Sequence, residues 1–160
     1  SMEAHMKKFI AIIILAIFPT LLMAEGAVIT EVAKSIGGSH TGMYTLTLAW
    51  TSDSETGAVE AATSDEITAW LEGKWIMSAK TVPGTGDDAP TPAYDITITD
   101  EDGFSIFSTD LNDRSATDTE EALPYVAGTK APRLITGALT TSVSAAGNSK
   151  TGKIILTIAR

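Results

Sequence analysis

The sequence predicts an all-β protein, a single two-layer antiparallel β-sandwich of jelly-roll or immunoglobulin-like topology. Three observations predict it. Residues 43–51 and 94–99 alternate apolar and polar side chains with a period of two, the pattern of a strand with one buried face. Beyond Ala24, serine and threonine supply 12 and 22 of 136 residues; threonine favours strands, and neither residue suits a helix interior. Strand-like runs, roughly seven or eight of them, are separated by turn-forming Gly, Pro, Asn and Asp at short intervals.

The elements follow in chain order. Ser1 to Met6 reads as vector residue ahead of a natural start at Met6. Lys7 and Lys8 then form a positive n-region, Phe9 to Phe18 an unbroken apolar h-region, and Leu22-Met23-Ala24 a cleavage site, so residues 7–24 are expected to be a secretory signal peptide. A permanent membrane anchor is the competing expectation. The run from Phe9 to Ala24 contains Pro19 and Thr20, however, and falls short of the roughly 20 apolar residues that cross a bilayer. Residues 25–160 are expected to form one exported domain, touching a membrane only through an uncleaved leader.

Within that domain, Ala27 to Lys34 reads as the first strand, followed by a flexible Gly37-Gly38-Ser39-His40 connection. Met43 to Thr51 is the clearest strand, with Tyr44, Leu46, Leu48 and Trp50 on one face and Thr45, Thr47, Ala49 and Thr51 on the other. Gly57 to Thr63 is a further strand. Ser64-Asp65-Glu66 followed by Ile67, Trp70 and Leu71 has a cap, early acids and helical spacing, with Gly73 as a stop. It predicts one short helix or helical turn near 64–72. Lys74 to Val82 returns to strand, and Pro83 to Pro92 is a surface loop.

Tyr94 to Thr99 alternates again, placing Tyr94, Ile96 and Ile98 inward. Asp100-Glu101-Asp102-Gly103 is expected to turn it into a strand at Phe104 to Ser108. Residues 110–132 are polar or bracketed by Pro124 and Pro132 and read as loops. Leu134 to Ser144 and Lys153 to Ala159 are β-rich runs around a Gly- and Asn-containing stretch, expected to pair as a C-terminal hairpin.

Charge and composition restrict the function. The chain has 20 acidic and 11 basic residues, a net charge of −9 that offers no positive field for a phosphate backbone, so nucleic-acid binding is not expected. Without cysteine there are no disulfides, thiolate metal sites or cysteine nucleophile. His40 is the only histidine beyond the leader, and no Gly-x-Ser-x-Gly elbow marks a serine nucleophile for it. No Gly-rich phosphate loop occurs. A non-enzymatic protein is expected.

Two constellations remain. Asp100 and Asp102, with Glu101 between them, are the oxygen ligands that calcium favours, and Asp87 and Asp88 would add oxygens if the loops met. Their spacing departs from that of an EF-hand, and an Asp-Gly turn explains the same residues without a cofactor. Trp70 and Trp75 are candidates for a sugar-stacking platform, whereas Trp50 belongs to the apolar face of its strand. If the two indoles are not exposed together, they are expected to serve in the core or in subunit contacts.

The run Tyr94-Asp95-Ile96-Thr97-Ile98-Thr99-Asp100 with Asp102-Gly103, then Asn112-Asp113-Arg114-Ser115-Ala116-Thr117, Gly137-Ala138-Leu139-Thr140 and Ala146-Gly147-Asn148-Ser149-Lys150-Thr151-Gly152, resembles small β-rich virion proteins of tailed bacteriophages and their prophages. Thr47-Leu48-Ala49-Trp50-Thr51-Ser52-Asp53 and Thr81-Val82-Pro83-Gly84 extend the likeness to most of residues 43–158. The resemblance implies a structural, decoration or attachment protein that acts through surface contacts, with copies of itself or other virion proteins as partners. It carries no catalytic set. A secretory leader departs from virion proteins assembled in the cytoplasm. It fits a membrane-associated virion component, an exported prophage product or a host envelope protein that has taken up the module. The alternative function is a secreted carbohydrate-binding or adhesin module whose partner is a cell-surface glycan.

Overall fold

The structure, a computed structural model, describes residues 28–35, 42–62 and 65–160. The segments expected to be vector residue and signal peptide, together with His40 and the expected cap at Ser64, lie outside the described residues. Eleven strands and one α-helix follow in the order β1 (Val28–Ser35), β2 (Met43–Thr51), β3 (Val59–Ala62), α1 (Asp65–Leu71), β4 (Trp75–Pro83), β5 (Asp95–Thr99), β6 (Glu120–Ala122), β7 (Tyr125–Val126), β8 (Thr129–Lys130), β9 (Arg133–Leu134), β10 (Thr140–Ser144) and β11 (Thr151–Ala159). A short 3-10 turn, Gly86–Asp88, interrupts the loop after β4.

The strands form a large sheet in the order β1-β2-β11-β4-β6, with β9 also on β4, a smaller sheet β3-β10-β5, and the separate β7-β8 ribbon. All pairings are antiparallel. The alternation read from the sequence decides which faces meet. Leu46, Leu48 and Trp50 of β2 and Ile154, Leu156 and Ile158 of β11 point inward, against Val59, Ile96, Ile98 and Val143 of the smaller sheet, in one hydrophobic core. The Trp50 and Tyr94 rings meet across it with centroids 5.6 Å apart. The architecture is all-β and sandwich-like, as the period-two runs predict.

In β4 the inward residues Ile76 and Ala79 are three positions apart, which strict alternation forbids. Ile158 pairs with Ile76 and Leu156 with Ala79, and the register shifts in between. A bulge at Met77–Ser78 thus absorbs the extra residue and keeps both apolar side chains inside. In α1, Leu71 is buried, and Ile67 and Trp70 pack against the core, which matches the helical spacing. Gly73 stops the helix at φ +76°, and its amide donates to the Ile135 carbonyl at 3.0 Å.

Three expectations are corrected. Leu134 to Ser144 and Lys153 to Ala159 do not form a hairpin: β10 pairs with β3 and β5, whereas β11 lies between β2 and β4 in the other sheet. Both strands are interior to their sheets and bury one face each, so the loop between them has to cross the core edge rather than reverse within a sheet. Ser52 fixes that crossing, its hydroxyl donating to the Gly147 carbonyl at 2.6 Å and accepting from the Lys150 amide at 2.8 Å.

Phe104 to Ser108 is not a strand. Only Ser105 bridges Thr99, after which the chain turns so that Ile106, Phe107 and Leu111 are all buried, an arrangement no alternating strand permits. This irregular segment covers the outer edge of β5 through Ile106 N–H to Ile98 O and Ile96 N–H to Leu111 O. Residues 110–132 are not simply loops, because they contain β6, β7 and β8.

Candidate functional site

One end of the large sheet carries a groove of about 570 Å³ lined by Trp75, Phe104, Val126, Ala127, Pro132, Arg133 and Leu134. Trp75 opens β4 and pairs with Leu134 of β9, so the two side chains share a face of the sheet. Each is 42% exposed. Phe104, 65% exposed, follows Gly103, whose φ of +82° carries the turn after β5. Val126 sits at the tip of the β7-β8 ribbon, where Ala127 and Gly128 both take positive φ, the geometry of a two-residue hairpin turn.

Arg133 holds these pieces together from beneath. Its Nη2 pairs with Asp100 Oδ2, and its Nη1 donates to the Tyr125 carbonyl at 3.4 Å, tying β9 to the 100–104 turn and to β7. Asp100 Oδ1 accepts from the amides of Asp102 at 3.2 Å and Phe104 at 2.9 Å. The groove therefore combines apolar walls with a charge pair already satisfied internally. Its chemistry is that of docking an apolar surface.

The structure places the four candidate residues in three settings. Asp100 lies beneath the groove, with both carboxylate oxygens engaged by Arg133 and by backbone amides, as the turn reading requires. Asp102 is exposed on the turn, while the Glu101 carboxylate folds against Gly137, where an added Cβ would stand 2.9 Å from Oε1. Among the described residues no group of three or more His, Asp or Glu side chains converges on a metal position. Trp75 lines the groove. Trp70 does not: its ring packs edge-on to Tyr44 with centroids 5.5 Å apart, and Lys74 Nζ lies 4.5 Å above it. The two indoles form no common platform.

Sequence reasoning missed Phe104, Val126, Leu134 and Arg133. Phe104 and Val126 were legible only as apolar residues placed in or beside turns, where an outward apolar side chain has no packing role within its own hairpin. A second polar cluster lies away from the groove. Tyr94, 1% exposed, has its phenol pushed up to about 12 by burial, with Arg114 opposing the shift and Glu120 adding to it. Arg114 Nε stands 3.6 Å from Glu120, whose carboxylate accepts the Ser115 amide at 2.6 Å. This cluster pins the 112–120 segment onto β5.

No family model matches the chain, and neither a curated protein nor a solved structure matches it.

Proposed function

We propose that this protein is a non-enzymatic, phage-derived structural protein, exported and acting through surface contacts in virion decoration or attachment. The observation that carries the contact reading is the groove of Trp75, Phe104, Val126 and Leu134. A small soluble domain rarely leaves four large apolar side chains together at its surface unless they meet a partner. The phage origin is supported by the ordered strand-and-turn segments between residues 43 and 158. Mass spectrometry of gradient-purified particles, from a host carrying the gene, tests it. The chain is expected as a stoichiometric component, and its absence from particles overturns the virion assignment.

Exposure of Trp75 beside Phe104 favours a second reading, a carbohydrate-binding or adhesin module, because sugars stack on exposed aromatic faces. It ranks below the first because, among the described residues, the only charged side chain lining the groove, Arg133, is already paired, leaving few polar partners for hydroxyl groups. Glycan-array binding lost in Trp75→Ala would reverse the order.

A further inference from the structure

We infer that the groove is a self-association surface and that its occupant is the same groove of a second copy, packed about a two-fold axis. The inference rests on the surface-contact reading above and names its partner. Charge supplies the first argument. Beyond Ala24 the chain carries 19 acidic and 9 basic residues, so two copies repel over most of their surface. The groove is the exception, because among the described residues the one charged side chain that lines it, Arg133, is neutralised by Asp100, and neighbouring Lys130 is paired with Asp110 at 2.6 Å. The lining side chains themselves therefore set no unpaired like charges against each other, and exposed Asp102 stays at the rim on the adjoining turn.

Area supplies the second argument. At 42%, 65%, 43% and 42% exposure, Trp75, Phe104, Val126 and Leu134 together present roughly 400 Å² if each full side chain offers on the order of 150–250 Å². Two such faces bury about 800 Å². Ala127, Pro132 and the ribbon backbone bring the total to about 1,000 Å², the lower bound for a specific interface. A two-fold contact uses the same patch twice and needs no second surface. An interface of this size belongs to a dimer that dissociates on dilution.

The full chain, its Phe104→Glu and Val126→Glu variants, and a Thr51→Glu control at the far end of β2 test this by sedimentation velocity across a dilution series. Phe104 and Val126 are exposed, so both variants are expected to fold, as circular dichroism will verify. The wild type and the control are expected to shift from dimer to monomer on dilution. Either groove variant should raise the dissociation constant at least about tenfold. A wild type that is monomeric at every concentration overturns the inference, as does association that both groove variants leave unchanged. A monomeric chain that is nonetheless found in purified particles refutes the dimer and leaves the virion reading standing; a groove-dependent dimer absent from particles upholds the dimer and overturns the virion reading.

Discussion

Trp50 and Gly152 face each other in one register row of the large sheet, and the indole fills the space a side chain on residue 152 would need. A Cβ built there would stand 2.6 Å from Cε2 of the ring. Trp50 is 2% exposed and meets Tyr94, the residue just before β5, so it has no free direction in which to yield. Gly152→Ala is expected to destabilise by about 2 kcal/mol, and Gly152→Val by more, through overpacking. Urea denaturation midpoints measure this; an unchanged midpoint in both variants would show that the ring has room to move.

The two remaining tryptophans should separate in the same assay. Trp70 packs against Tyr44 and the core, so Trp70→Ala is expected to cost about 2 kcal/mol or more. Trp75→Ala removes a side chain from an open groove and should cost less than about 1 kcal/mol. A larger loss at position 75 than at 70 would contradict these placements.

Asp100→Ala is expected to destabilise by on the order of 2–4 kcal/mol, because it strips the counter-ion from a mostly buried Arg133 and the acceptor from two turn amides. Added calcium should leave the melting temperature of the wild type unchanged, since both oxygens of this carboxylate are already used. A calcium-dependent rise that Asp100→Ala abolishes would restore the metal reading.

Alkaline pH should unfold the protein through Tyr94. Its phenol is held to about 12 in the fold, against the ordinary value near 10, so the native state keeps a proton that the unfolded chain gives up. The stability due to this burial is fully present below pH 10 and is lost between about pH 10 and 12, on the order of 2–3 kcal/mol in all. Lys130 adds a loss of the same sign, because its hydrogen bond to Asp110 raises its own proton affinity in the fold. Stability measured against pH should flatten in Tyr94→Phe over this window; a curve parallel to that of the wild type would assign the loss elsewhere.

In acid the sign reverses at Asp53. Amide hydrogen bonds from Thr56 and Glu55 lower its proton affinity in the fold, so its contribution is present above the ordinary carboxylate range and is lost as pH falls through it. Asp53→Asn should reduce the acid sensitivity of the 53–57 turn, read from amide hydrogen exchange of Gly57.

The sequence made the faces of β2, β5 and β11 legible because each strand buries one side only, and burial writes itself as alternation. Which sheet a strand joins is not written that way. Gly147 and Asn148 announce a change of direction after β10, but the destination of β11 depends on the open edges of β2 and β4, more than 60 residues away in the chain. The bulge in β4 was hidden for the same reason, since the spacing of Ile76 and Ala79 makes sense only against Ile158 and Leu156. At the groove, Trp75 was found by its residue type and Asp100 by its turn. Phe104, Val126 and Leu134 are single apolar residues on three separate elements, and only the packed fold gathers them.

The position of β11 bears on how the molecule can be made. It is the last of the described strands in the chain, yet it stands between β2 and β4 and supplies both with their shared partner. Until residues 151–159 emerge from the ribosome or a translocation pore, those two strands present unsatisfied edges side by side, a state prone to wrong pairings. Closure of the larger sheet must therefore wait for residues 151–159, and a premature stop before residue 151 should yield aggregates rather than a shortened domain.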